Sequence, residues 1–160
     1  MAKGILATIL ERLRGYGTRL DDYELAIIEA VAHALPPMDA DKLLRRAAAV
    51  NRVQRLLGGQ DTTLYQMRGG RPVFPEETAI LHQPGSIRFA RVEVRSPEPT
   101  SRLRATLFLH DGNLTSLEFD RPSERADATH IQELRVTFLG PPFQDPDLEE
   151  EQSGWPSADR

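Results

Sequence analysis

The residues best suited to chemistry in this chain of 160 gather at one predicted turn: His110, Asp111, Glu118 and Asp120. A histidine beside carboxylates can serve as a general base, because neighbouring negative charge stabilises its protonated form. In the register that the hydrophobic pattern favours, however, Glu118 points away from the face of Leu117 and Phe119. His110, Asp111 and Glu118 are therefore carried forward as catalytic candidates, beside the simpler reading of a solvated sheet face. Ser86 follows Pro84-Gly85 with no Gly-x-Ser-x-Gly elbow around it, and reads as a turn residue. His33, His82, His110 and His130 stand far apart, with neither His-x-His nor His-Glu-x-x-His spacing, so no metal site is expected. Gly15-x-Gly17, Gly58-Gly59 and Gly69-Gly70 fit neither the dinucleotide fingerprint nor the Walker pattern, and no cofactor is expected.

A second set is cationic. Lys42, Arg45, Arg46, Arg52 and Arg55 fall on one side of a predicted helix, with no acid between the first and the last. Such a face could dock an anionic protein surface. Nucleic acid is disfavoured, because no aromatic residues interleave with these cations and the domain is close to neutral. Lys42, Arg45, Arg52 and Arg55 are the partner-binding candidates, together with Trp155, a lone aromatic anchor in an acidic tail. Asn51 and Gln54 project from the apolar side of the same helix. With Tyr65 and Arg88 they could line a small-ligand pocket between the helices and a sheet, or simply be bonded, half-buried amides.

The elements that would hold these residues follow from periodicity. Ile5, Leu6, Ile9, Leu10 and Leu13 repeat at helical spacing up to Gly15-Tyr16-Gly17. Asp21-x-x-Glu24 is a capping box, flanked by a Leu20–Leu25 staple, and it starts a second helix that stops at Pro36-Pro37. A third helix is expected from an Asp39 N-cap, with a Met38–Leu43 staple, through Leu43, Ala47, Val50 and Val53 to Leu57 and Gly58-Gly59. From Thr62 the period becomes two. Gly69-Gly70 marks a hairpin with Pro72 on its edge arm, and Ala79–Gln83 is read as a short strand. Ser86–Arg95 switches parity at Ala90-Arg91, the mark of a β-bulge. Leu103–Leu109 should return as Asn113–Phe119 across a three-residue loop, setting Leu103, Ala105, Leu107 and Leu109 on one face with Thr115, Leu117 and Phe119. The last strand is Gln132–Leu139, with Leu134, Val136 and Phe138 facing in.

The expected fold class is α+β: three N-terminal helices packed on one face of a mainly antiparallel β-meander. Residues 1–139 form a single domain, followed by a Pro- and acid-rich disordered tail over 140–160. A chain of this size buries roughly 68–70% of its unfolded surface and can hold a core without metals or disulfides. Six tail acids against Arg160 leave the tail at −5 within a net charge of −4, so the preceding 139 residues stand at +1. With no cysteine, disulfide frameworks, zinc ribbons and thiol nucleophiles are excluded. The apolar run Gly4–Leu10 leads to Glu11, Arg12 and Arg14 rather than to a cleavage site, and nothing nears the ~20 apolar residues of a membrane span. A cytoplasmic location is expected, with no membrane contact. Lys3 and Lys42 are the only lysines among 20 basic residues, an arginine bias that fits a GC-rich bacterial genome.

The stretch Leu109-His110-Asp111-Gly112-Asn113-Leu114-Thr115-Ser116-Leu117-Glu118-Phe119 resembles the closing hairpins of small bacterial immunity proteins. That resemblance implies a stoichiometric protein partner rather than a substrate. The expected function is thus a non-enzymatic protein-binding module of immunity or inhibitor type. A small-ligand binder or enzyme with a pocket between helices and sheet is the alternative. A homodimer through the Pro72 edge or the first helix is also compatible with the pattern.

Overall fold

The computed structural model of the chain describes residues 15–97 and 102–143. The first predicted helix and Trp155 lie outside them, as does the tail beyond Phe143. Helix α1, Asp22–His33, opens on the capping box read from the sequence: the Asp21 carboxylate accepts from the Glu24 N–H at 2.8 Å, and Glu24 accepts from the Asp21 N–H at 2.9 Å. Its residues Ile27, Ile28 and Val31 are fully buried. Helix α2, Pro37–Ala48, starts differently from expectation. Pro36 is its N-cap, Pro37 fixes the first turn, and Asp39 lies inside that turn. Met38 is 77% exposed, so the expected staple with Leu43 does not form.

The third predicted helix is cut short by the sheet. It ends at Ala48, with Ala49 as C-cap, and Arg52–Leu56 is strand β2. Val50, Val53 and Leu57 satisfy a helical period, but Val53 also satisfies a period of two, and pairing with a neighbouring strand decides between them. Gly58 and Gly59, read as a helix stop, instead carry the tight connection from β2 to the next strand, where Leu57, Gly58 and Gly59 all have positive φ.

Among the described residues there are nine strands, in the chain order β1 (Tyr16–Gly17), β2, β3 (Asp61–Tyr65), β4 (Met67–Arg68), β5 (Arg71–Pro72), β6 (Ser86–Arg95), β7 (Leu103–His110), β8 (Asn113–Phe119) and β9 (Glu133–Phe138). Seven form one antiparallel sheet, ordered β1-β2-β3-β8-β7-β6-β9, while β4 and β5 make a separate small hairpin across Gly69-Gly70. Pro72 therefore sits beside the main sheet rather than on its edge. Ala79–Gln83 is not a strand. Ala79 and Ile80 are buried instead, and the Ile80 N–H donates to the Gly112 carbonyl at 2.9 Å.

The β6 bulge falls between Arg88 and Ala90, matching the parity switch. The β7–β8 turn has two residues rather than three, Asp111 and Gly112, with φ of 47° and 76°. A Cβ at Gly112 would collide with the Leu81 carbonyl, so only glycine fits there. A second bulge, between Phe108 and Leu109, sets Leu109 opposite Leu114. Leu114, not Thr115, thus takes the inward position.

Both helices lie on one face of the sheet, giving an α+β fold with a β6–β7–β8 meander. The layer between is filled by Ile27, Ile28, Val31, Leu43, Val53, Leu64, Leu107 and Leu117, each no more than 1% exposed. Phe143, assigned to the tail by sequence, packs on Phe89 and Phe138 with ring centroids 6.1 and 5.6 Å away. No helix among the described residues is long and apolar enough to cross a membrane.

Two charged side chains, Glu24 and Arg46, lie inside this core. Arg55 on β2 reaches Glu24 on α1 through two bonds, Nε to Oε1 at 2.8 Å and Nη2 to Oε2 at 2.6 Å. Arg46 on α2 is 1% exposed and donates to the carbonyls of Leu114 and Val73, each at 3.1 Å, and to Gln66 Oε1 at 2.9 Å. It has no carboxylate partner among the described residues. Burial pushes its pKa down to about 10, which leaves it charged at neutral pH.

Candidate functional site on the uncovered face of the sheet

Alternation along the strands sends every second residue to the face away from α1 and α2. Read across the sheet by register, one row on that face runs Tyr16, Gln54, Thr63, Ser116, Phe108, Arg88. A second runs Leu56, Asp61, Glu118, Thr106, Arg91, Thr137. Every one of these residues is half-buried or exposed, and none is in the core. The face therefore lies open among the described residues.

One end of it is concave. Tyr16, Arg52, Tyr65, Met67 and Pro72 line a hollow of about 210 Å³. The Arg52 guanidinium lies 4.2 Å from the centroid of the Tyr16 ring, a cation–π stack, and the Tyr65 hydroxyl donates to Gln54 Oε1 at 3.4 Å. The hollow thus holds a stacked cation between two tyrosines.

The charges of the face are left uncompensated. Arg52, Arg88 and Arg91 make no ion pair among the described residues. Arg91 is half-buried, and its Nε is enclosed without a hydrogen-bond partner among the described residues. Asp61 stands directly opposite Glu118, an arrangement of like charges that destabilises a sheet. The inward side shows the reverse, with Arg55 held by Glu24 and by Asp21 at 4.0 Å. Burial works against the Arg55 charge, but the Glu24 hydrogen bond and the two carboxylates outweigh it and raise its pKa.

The basic helix face expected from sequence is dismantled. Lys42 lies 3.8 Å from Asp39 and Arg45 lies 2.7 Å from Asp41, both within α2. Arg46 is in the core, Arg55 is committed to Glu24, and Arg52 alone of the set reaches the open face. The ligand-lining candidates are likewise redistributed. Asn51 brackets the Met67 backbone, donating to its carbonyl at 3.0 Å and accepting from its N–H at 2.7 Å. Gln54, Tyr65 and Arg88 face away from the helices, so they do not line a pocket between the layers. Gln54 and Arg88 are four strand spacings apart, about 19 Å.

The predicted catalytic cluster does not assemble either. Glu118 lies five residues along β8 from the turn, about 17 Å away. Asp120 accepts from the Arg104 N–H at 3.0 Å. What the fold brings together instead is Ser86 Oγ and His110 Nδ1 at 2.9 Å, with Asp111 Oδ2 3.6 Å from His110 Nε2. That last distance is too long for a hydrogen bond. Asp111 uses its other oxygen to accept from the Gly85 N–H at 2.8 Å, and the His110 ring lies 5.1 Å from Phe74. The group clips the β7–β8 turn to the start of β6. Sequence reading missed Ser86 as its member because the pairing spans 24 positions. Among the described residues, no group of three His, Asp or Glu could hold a metal ion.

Comparison with known proteins finds no matching family model, no matching curated protein and no matching solved structure.

Proposed function

We propose that this chain is a protein-binding module, of inhibitor or immunity type, that docks its partner on the open face of its sheet. One observation carries the reading. The face combines tyrosine, phenylalanine and arginine, residue types enriched in protein interfaces, with charges that find no counterpart among the described residues. A like-charge pair and unpaired guanidinium groups weaken the isolated fold, and they become favourable once a partner supplies the opposite charge. The Tyr16–Arg52–Tyr65 hollow suits an acidic side chain from that partner, held by the guanidinium and flanked by the rings. Leu56 and Leu57, 43% and 74% exposed at the β2–β3 connection, add an apolar rim.

The test is affinity capture from lysate of the source organism with three baits: wild type, Arg52→Glu/Arg88→Glu on the open face, and Arg45→Glu on the helix layer. Wild type and Arg45→Glu should retain one partner in stoichiometric amount. The face variant should lose at least about nine-tenths of it, a tenfold weakening or more. A partner retained equally by all three baits would contradict the reading, as would captures that are empty throughout.

A further inference from the structure

At the end of the sheet near the start of α1, a cleft of about 900 Å³ opens between the end of β6, the start of β7 and the β8–β9 connection. Its floor is apolar, made by the Tyr23 ring with Leu103, Pro122 and Ala126. Tyr23 is buried and stacks against Phe119, with ring centroids 6.3 Å apart. Three arginines from two segments, Arg102, Arg121 and Arg125, stand around the opening, all with exposed side chains.

Among the described residues, the acids nearby are engaged elsewhere and pair with neither Arg102 nor Arg125. Asp127 is the carboxylate of the cleft wall. Its Oδ1 accepts from both the N–H and the hydroxyl of Thr129 at 2.8 Å, and its Oδ2 lies 3.4 Å from His130 Nδ1. Asp120 accepts from the Arg104 N–H and lies 3.8 Å from Arg121 Nε. Arg102 and Arg125 make no ion pair among the described residues. Guanidinium groups converging on one opening repel one another, and an anion between them removes that repulsion. Their planar forks match phosphate oxygens in pairs. A cavity of this volume with an apolar floor and a few convergent polar groups is the usual form of a small-molecule site.

We propose that this cleft binds a small phosphorylated molecule, its phosphates on Arg102 and Arg125 and its organic body on the Tyr23–Leu103 floor. The site is separate from the open sheet face and would act beside a protein partner rather than in place of it.

The experiment is thermal denaturation and titration calorimetry of the full chain with inorganic pyrophosphate, ADP and adenosine, at fixed ionic strength. ADP should raise the melting temperature in a concentration-dependent way, pyrophosphate should do so less, and adenosine should leave it unchanged. Arg102→Glu/Arg125→Glu should weaken ADP binding at least about tenfold. Both positions are exposed, and far-UV circular dichroism would verify that the variant folds. The face variant Arg52→Glu/Arg88→Glu should keep the full ADP response, so the two sites can fail independently. The proposal is overturned by no response to either phosphate compound, by an adenosine response equal to that of ADP, or by an ADP response that survives in Arg102→Glu/Arg125→Glu.

Discussion

Replacing Arg46 by alanine is expected to remove about 3–5 kcal/mol of folding stability, the range seen when a buried polar network loses its centre. Arg46 joins α2, the β8 bulge and the segment leading out of β5. Its donors meet the Leu114 carbonyl, the Val73 carbonyl and Gln66 Oε1. Leu114 borders the bulge, and with Arg46 gone its carbonyl loses its side-chain donor in a water-poor site, at about 1–3 kcal/mol for each acceptor so stranded. The vacated volume adds a cavity penalty beside Phe74. Arg46→Lys keeps the charge, but one ammonium cannot donate in the three directions that the planar fork serves, so it should lose about 2 kcal/mol or more. Urea unfolding followed by tryptophan-independent circular dichroism measures both variants. A loss under 1 kcal/mol for Arg46→Ala would show that α2 is held to the sheet by its apolar contacts alone.

Glu24→Ala should be nearly as damaging, again about 3–5 kcal/mol. Glu24 is 1% exposed and has two roles at once: it closes the α1 capping box on the Asp21 N–H, and it receives both Arg55 bonds. Removing it leaves a half-buried guanidinium next to the core and frays the first turn, of which the cap alone accounts for about 1 kcal/mol. Glu24→Gln preserves the cap geometry but not the charge, and should fall between the two. The double variant Glu24→Leu/Arg55→Met should recover much of the loss, because removing both charges also removes their desolvation cost. The double-mutant cycle in chemical denaturation reads the coupling directly. Additive losses from Glu24→Ala and Arg55→Met would contradict the pairing.

The capping box shows how far local rules reach. Asp21 and Glu24 are three residues apart, so their reciprocal bonds were legible, as was the Gly69-Gly70 turn and the β6 bulge. Glu24's second role was not, since Arg55 lies 31 positions away and nothing local marks it as a partner. The same limit explains Arg46: on a helical wheel it belongs with Lys42 and Arg45, and only the β8 bulge and the Val73 segment turn that position inward. Residues 50–57 fit two periods at once, and the β2–β3 pairing chose the strand. That choice takes Arg52 off the expected basic helix face, and Gln54 and Tyr65 out of the expected interlayer pocket, to the opposite side of the sheet. Thr115 was placed inward because the turn was counted at three residues, and the bulge shifted the inward position to Leu114. The open face itself was invisible in sequence, because its rows are assembled from up to six strands and depend on register rather than on spacing.

The measurement that bears most directly on the proposed docking surface is hydroxyl-radical footprinting of the chain, free and in complex with its captured partner. Protection of Tyr16, Tyr65 and Phe108 in the complex, with Met38 and Leu44 on α2 as reactive as before, is the predicted result. Protection of Met38 and Leu44 with the three aromatics unchanged would place the partner on the helix layer and contradict the account.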